Sequence, residues 1–195
     1  MESNKETRTY DANIEVRMDG DKNTVRGYAA VFNSESNDLG GFIETIAPGA
    51  FSSVLQDDVR ALIDHKSELI LGRTVSGTLR IGQDEKGLYY EYDSPNTTYA
   101  NDLLESMKRG DVTQSSFGFR VARDGSQWEE KEGQTYRTIT KVSRLYDVSP
   151  VTYPAYNDTS VAMRSLGKLK EDNTAILEAD KVDRDKIIRQ LDLSK

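Results

Sequence analysis

Apolar residues in this chain come in short alternating runs, and turn formers cut almost every run before it can lengthen. Ile14, Val16 and Met18 fall on one side of a period-two pattern, and Asp19-Gly20-Asp21 then breaks it. The pattern resumes from Val25 to Phe32. Side chains alternate across a strand, so this spacing predicts two strands joined by a hairpin. The same logic predicts strands over 42–46 and 59–63, a hairpin from 78–81 and 88–92, and a strand over 113–122. One long or two shorter strands are expected over 137–151, with Pro154 as the stop.

Helical periodicity is clearest in Tyr99–Lys108, where Leu103, Leu104 and Met107 form one stripe. Asn96 or Thr97 is the expected cap and Gly110 the expected end. A second, short helix is expected over Ala50–Leu55, after Pro48-Gly49. About seven strands with few helices imply a mostly β (α+β) domain. The expected architecture is a closed or nearly closed β-barrel with peripheral helices. Residues 1–11 are polar and expected to be flexible, and 123–135 read as a charged loop. Residues 166–195 read as a Lys-, Asp- and Glu-rich tail with short amphipathic helices, on which Ile187, Ile188 and Leu191 share a face.

Composition removes several kinds of chemistry. The chain has no cysteine, so disulfides, thiolate metal sites and a cysteine nucleophile are excluded. Among its 195 residues is a single histidine, which is poor support for zinc. No phosphate-cradling glycine loop and no GxSxG elbow is present, and no cofactor or metal is expected. The net charge of −7 opposes nucleic-acid binding, which needs clustered Lys and Arg. The start of the sequence lacks an apolar signal, and no run approaches a membrane span, so a cytoplasmic chain that binds no membrane is expected.

Three features could carry chemistry. A hydrolase here that uses imidazole as its base must use His65, at the end of Ala61-Leu62-Ile63-Asp64. In Ser115-Ser116-Phe117-Gly118-Phe119, a strand would send Phe117 and Phe119 to the core and Ser116 outward. Gly118 beside it would let a substrate backbone approach. In Leu145-Tyr146-Asp147-Val148-Ser149, alternation groups Leu145, Asp147 and Ser149 on one face. A buried acid there needs a partner, and a histidine N–H is one candidate. Each feature also has a plain structural reading: a loop histidine, an amphipathic strand and a solvent-facing acid.

Taken together and in order, the motifs resemble the prohead proteases of HK97-like tailed phages. The resemblance runs over roughly residues 10–165. It rests on Gly27-Tyr28-Ala29-Ala30-Val31-Phe32-Asn33, on Phe42-Ile43-Glu44-Thr45-Ile46-Ala47-Pro48-Gly49-Ala50-Phe51, on His65, and on Leu71-Gly72-Arg73-Thr74. It continues through Ser116-Phe117-Gly118-Phe119 and Asp147-Val148-Ser149-Pro150-Val151-Thr152-Tyr153-Pro154-Ala155-Tyr156.

The resemblance implies a protease domain over 12–165, similar in fold to the herpesvirus maturation proteases. Those relatives use a second histidine, which this chain lacks. The resemblance therefore implies Ser116 as nucleophile, His65 as base and Asp147 as third member. Glu44 and Asp64 are alternatives for the acid, and Ser115 for the serine. Backbone near Pro154-Ala155-Tyr156 is the implied source of oxyanion donors. The implied function is a serine endopeptidase that cuts the scaffolding segment of the major capsid protein, and itself, inside the procapsid in the host cytoplasm. The procapsid with its portal, and a second copy of the chain, are further partners the resemblance suggests. The tail at 166–195 is a candidate for self-cleavage and docking. A non-catalytic scaffold protein that binds the capsid protein is the alternative.

Overall fold

The computed structural model describes residues 5–11, 14–19, 22–153, 163, 164, 166, 167 and 171. The chain divides into compact units over Met1–Asp158 and Thr159–Lys195. The predicted tail helices and the backbone at 154–156 lie outside the described residues.

The first unit is mostly β. Its strands are β1 (Glu6–Tyr10), β2 (Glu15–Asp19), β3 (Lys22–Val31), β4 (Ile43–Ile46), β5 (Arg60–Ile63), β6 (Lys66–Arg73), β7 (Leu79–Gln83), β8 (Gly87–Asp93), β9 (Gln114–Val121), β10 (Ser126–Lys131), β11 (Gln134–Ile139) and β12 (Val142–Val151). One helix, α1 (Thr98–Arg109), sits between β8 and β9. Gly110 ends it in the left-handed conformation with φ of 81°, and Ala100, Leu103, Leu104 and Met107 are its buried face. Thr97 is the N-cap by position, without a side-chain cap bond.

The strands form three sheets, ordered β1-β9-β12-β5-β6, β10-β11-β4 and β2-β3-β8-β7. The expected closed barrel is not formed: no ladder joins these sheets into a ring among the described residues. Two neighbour pairs, β12 with β5 and β11 with β4, are parallel, so their connections must cross over instead of closing as hairpins. The sheets instead share one apolar core, in which Phe51, Phe117, Phe119, Tyr90 and Leu145 are fully buried. Phe117 and Phe119 stack at 4.6 Å between centroids, and Phe51 meets Phe117 edge-on.

Polar bonds bind sheet to sheet inside this core. Gly27 faces Tyr90 across the β3–β8 ladder, and a Cβ there would lie 2.7 Å from the Tyr90 hydroxyl. The space lets Tyr90 reach Ser115, at 2.8 Å between oxygens. Glu6 and Arg8 of β1, Glu44 of β4 and Arg137 of β11 make a buried quartet of two acids and two bases. Arg8 donates to Glu44 at 2.7 and 3.0 Å and to Glu6 at 2.7 Å. Arg137 donates to Glu6 at 2.8 and 3.2 Å and to Glu44 at 2.9 Å. Buried charge is tolerated only when paired in this way. The quartet locks the five-stranded sheet to the three-stranded one.

Three local expectations need correction. Residues 1–11 were expected to be flexible, yet Glu6–Tyr10 is a strand whose charged side chains point inward to the quartet. The expected helix over Ala50–Leu55 is a series of tight turns, with bonds from Ser52 to Gly49 and from Val54 to Phe51. The expected loop over 123–135 holds β10, an edge strand paired only with β11, whose side chains are largely exposed. The 137–151 segment forms two strands, separated at Thr140 and Lys141.

Candidate active site

Ser116 lies in the middle of β9, between β1 and β12. Alternation sends Ser115, Phe117 and Phe119 to the core and leaves Ser116 and Gly118 on the opposite face. Thr9 and Ser149 flank Ser116, one on each neighbouring strand, and Thr7 and Asp147 flank Gly118. Ser116 points away from the core as expected, but the side chains around it cover it, and its relative exposure is 0%.

His65 is not at a strand end. It occupies the two-residue turn between β5 and β6, and both turn residues have positive φ, 49° at Asp64 and 58° at His65. That is the pattern of a type I′ hairpin turn, which matches the twist of the flanking strands. A left-handed backbone costs a residue with a Cβ roughly 1–2 kcal/mol, so other contacts must hold the turn. They come from β12. Asp64 N–H donates to the Pro150 carbonyl at 3.1 Å. The Asp64 carboxylate accepts from Thr152 N–H at 2.8 Å and from the Thr152 hydroxyl at 3.2 Å.

Asp147 reaches the site through a β-bulge. The β12–β9 register runs from Leu145↔Phe119 directly to Asp147↔Gly118, so Tyr146 is the extra residue. The bulge overturns the expected grouping of Leu145 with Asp147. Leu145 faces the core, whereas Asp147 and Ser149 share the face of Ser116 and Gly118. A bulge shifts the side-chain phase by one, and here that step turns the acid toward the histidine.

The three side chains form one line. His65 Nε2 lies 2.7 Å from Ser116 Oγ. On its other side, His65 Nδ1 bonds to Asp147 Oδ1. Asp147 also accepts from Lys5 Nζ at 2.7 Å and from the Ser149 hydroxyl at 3.1 Å. Burial pushes the Asp147 pKa up, but the His65 hydrogen bond and charge, with Lys5, outweigh it and hold the acid below its ordinary range. Asp147 therefore stays ionised beside the imidazole.

The Ser116 hydroxyl has a second acceptor, the Arg8 carbonyl of β1, at 2.8 Å. Its one proton can go to that carbonyl or to His65, and only the second arrangement activates the oxygen.

Gly118 has a different role from the one expected. A Cβ there would come within 2.5 Å of Asp147 Oδ2 and would also meet the Lys5 side chain. The vacancy holds the Asp147 carboxylate, not a substrate backbone. Of the alternatives, Glu44 is committed to the buried quartet, Asp64 bonds Thr152, and Ser115 bonds Tyr90 on the core side. Lys5 and Ser149 were missed as site residues. Ser149 could have been found, because it lies two positions beyond Asp147 on the same face. Lys5 left no signal in its polar surroundings. No group of three or more His, Asp or Glu suited to a metal occurs among the described residues.

Comparison with known proteins identifies the family. Residues 12–172 match the family described as caudovirus prohead serine protease. The chain belongs to that family. It is 32% identical over 154 residues to the prohead protease of Enterobacteria phage HK97, an alignment covering 76% of this chain and 63% of that protein. The chain thus spans less than two-thirds of its relative's length. No solved structure matches. Strand β1, which supplies the Arg8 carbonyl, and Lys5 both precede the family-matched segment.

Proposed function

We propose that this prohead-protease family member is a serine endopeptidase with Ser116 as nucleophile, His65 as general base and Asp147 as the residue that orients the histidine. The observation that carries the reading is the unbroken line from Ser116 Oγ through both nitrogens of the only histidine to a buried carboxylate.

The chemistry follows from that line. Ser116 Oγ attacks the carbonyl carbon of the scissile peptide while its proton passes to His65 Nε2. Asp147 accepts the Nδ1–H bond, which selects the tautomer whose Nε2 lone pair faces the serine. The same carboxylate stabilises the imidazolium once it forms. His65 then protonates the leaving amine, and water attacks the acyl-enzyme by the reverse route. Lys5 holds the Asp147 oxygen that the imidazole does not use, and Ser149 donates to the same oxygen as His65, so the direction of the carboxylate is fixed.

The substrate follows from the family. It is the scaffolding segment of the major capsid protein, cut inside the procapsid in the host cell, together with the protease itself. The tail at 166–195 is the proposed site of self-cleavage, and backbone at 154–156 the proposed oxyanion donor.

Co-expression with the capsid protein of the same phage tests the reading. The wild-type chain should shorten the capsid protein, and Ser116→Ala should leave it full length while keeping the wild-type melting temperature. Normal processing by the Ser116→Ala variant would refute the assignment.

A further inference from the structure

The residue before the histidine does no chemistry in the scheme above, yet it is bonded more firmly than a turn residue needs to be. Asp64 and His65 are the two central residues of one hairpin turn, and both are left-handed. Neither is glycine, so the turn has no intrinsic reason to stay in this conformation. The pairing of β5 with β12 covers only Asp147↔Arg60 and Val148↔Ala61, and it stops before the turn. Beyond that point Asp64 ties the turn to the end of β12 and to Thr152, the residue after it. Its N–H reaches the Pro150 carbonyl, and its two carboxylate oxygens take the N–H and hydroxyl of Thr152.

We infer that Asp64 is a positioning residue. Its carboxylate clamps the His65 turn onto the strand that carries Asp147, and thereby sets the imidazole between Asp147 and Ser116. This inference rests on the peptidase reading for its kinetic part only. The clamp joins the base and the orienting acid across sequence positions that share no ladder. His65 departs from the chain immediately after the clamped residue, so a turn free to rock carries the imidazole with it. A shift of about 1 Å at a reacting group can lower the rate by on the order of 10²-fold. Lys66 Nζ, at 3.9 Å from Asp64 and largely exposed, is a weak partner and does not replace Thr152.

Three substitutions separate the clamp from mere turn strain. Asp64→Asn keeps an acceptor for Thr152 N–H and tolerates positive φ. Asp64→Gly relieves the backbone but deletes the clamp, and Asp64→Ala deletes the clamp without relieving the backbone. The first measurement is NMR of the single imidazole, which gives one set of ring signals. The wild type should show a downfield Nδ1–H proton bonded to Asp147. Asp64→Asn should keep it, and Asp64→Ala and Asp64→Gly should lose it. The second measurement is capsid-protein cleavage, where Ala and Gly should lower kcat by roughly tenfold to a hundredfold at similar KM. Asn should restore most of the rate.

A wild-type ring signal in the glycine variant overturns the clamp, because strain alone would then explain the residue. A wild-type signal in the alanine variant overturns it as well. Should the wild-type chain cleave nothing, the peptidase reading falls while the imidazole signal still decides the role of Asp64.

Discussion

Gly118→Ala adds one methyl group at the place where the site is tightest. The new Cβ would lie 2.5 Å from Asp147 Oδ2, against 3.4 Å or more for an ordinary contact. The carboxylate must therefore retreat by about 0.9 Å or the two strands must part by a similar amount. Lys5 is also in the way, but it approaches through the far end of a flexible, one-third exposed side chain and can swing out. Asp147 cannot, because it is buried and held by His65, Ser149 and Lys5. Overpacking of this kind costs about 1–3 kcal/mol. For a chain of this size that is a melting temperature lower by about 2–12 °C.

The catalytic effect should exceed the stability effect. Moving the carboxylate by most of an ångström spoils its bond to His65 Nδ1. The tautomer preference weakens and the imidazole loses its direction. Complete loss of the orienting carboxylate lowers kcat by about 10⁴-fold in the serine-protease template. A displaced carboxylate should lie below that limit, near 10²-fold. The assay is the rate of capsid-protein cleavage by purified Gly118→Ala, beside wild type and Asp147→Asn, at a temperature where all are folded. Adding Lys5→Ala to Gly118→Ala should not restore the rate, because the clash that matters is with Asp147. Wild-type cleavage by Gly118→Ala would refute both the steric argument and the role given to Asp147. Rescue by Lys5→Ala would move the critical clash to the lysine.

Two further outcomes test the electrostatics. Arg137→Met leaves Glu6 and Glu44 buried with Arg8 alone, and should cost about 3–5 kcal/mol, or a melting temperature lower by about 6–20 °C. Replacing all four members with apolar residues of similar volume should recover most of that loss, and an unchanged melting point in the single variant would deny the quartet its structural role. The acid limb of stability is set by carboxylates whose pKa values are lowered from ordinary values of 3.8 at Asp147 and 4.5 at Glu6. A depressed native pKa contributes stability above the ordinary value and loses it as pH falls through the native one. The melting temperature should therefore be flat above about pH 5 and decline below about pH 4, and the gap between wild type and Asp147→Asn should narrow over that decline. A gap that widens toward acid would reverse the assigned direction.

Much of the scaffold could be read from alternation and punctuation. Phe117 and Phe119 went to the core as their spacing required, and Leu103, Leu104 and Met107 formed the buried stripe of α1. The hairpin of β7 and β8 and the stop at Gly110 followed from turn chemistry. What failed to show were elements whose reason lies far away in the chain. Glu6 and Arg8 look like solvent-facing residues until Glu44 and Arg137 are brought to them, 36 and 131 positions further on. Strand β1 was therefore invisible to a reading based on apolar period. The parallel pairings within two of the sheets are likewise set by crossovers, and no local pattern encodes them.

The site illustrates the same limit more sharply. The side chains expected to cooperate were visible as residue types, but the geometry that joins them is built from departures from regular structure. His65 is aimed by a hairpin turn with two left-handed non-glycine residues. Asp147 is aimed by the bulge at Tyr146, without which strict alternation would place it with Leu145 in the core. Room for its carboxylate comes from a glycine in mid-strand, a position where glycine otherwise only weakens a sheet. Each departure serves one site: the turn aims His65 at Ser116, the bulge aims Asp147 at His65, and the glycine leaves room for the carboxylate, on a face that alternation alone would not have assembled. Conflict between local pattern and final structure is expected where a fold serves chemistry. In this chain the conflicts fall on the neighbours of Ser116, which is why the fold's regular parts could be anticipated and the aim of its acid could not.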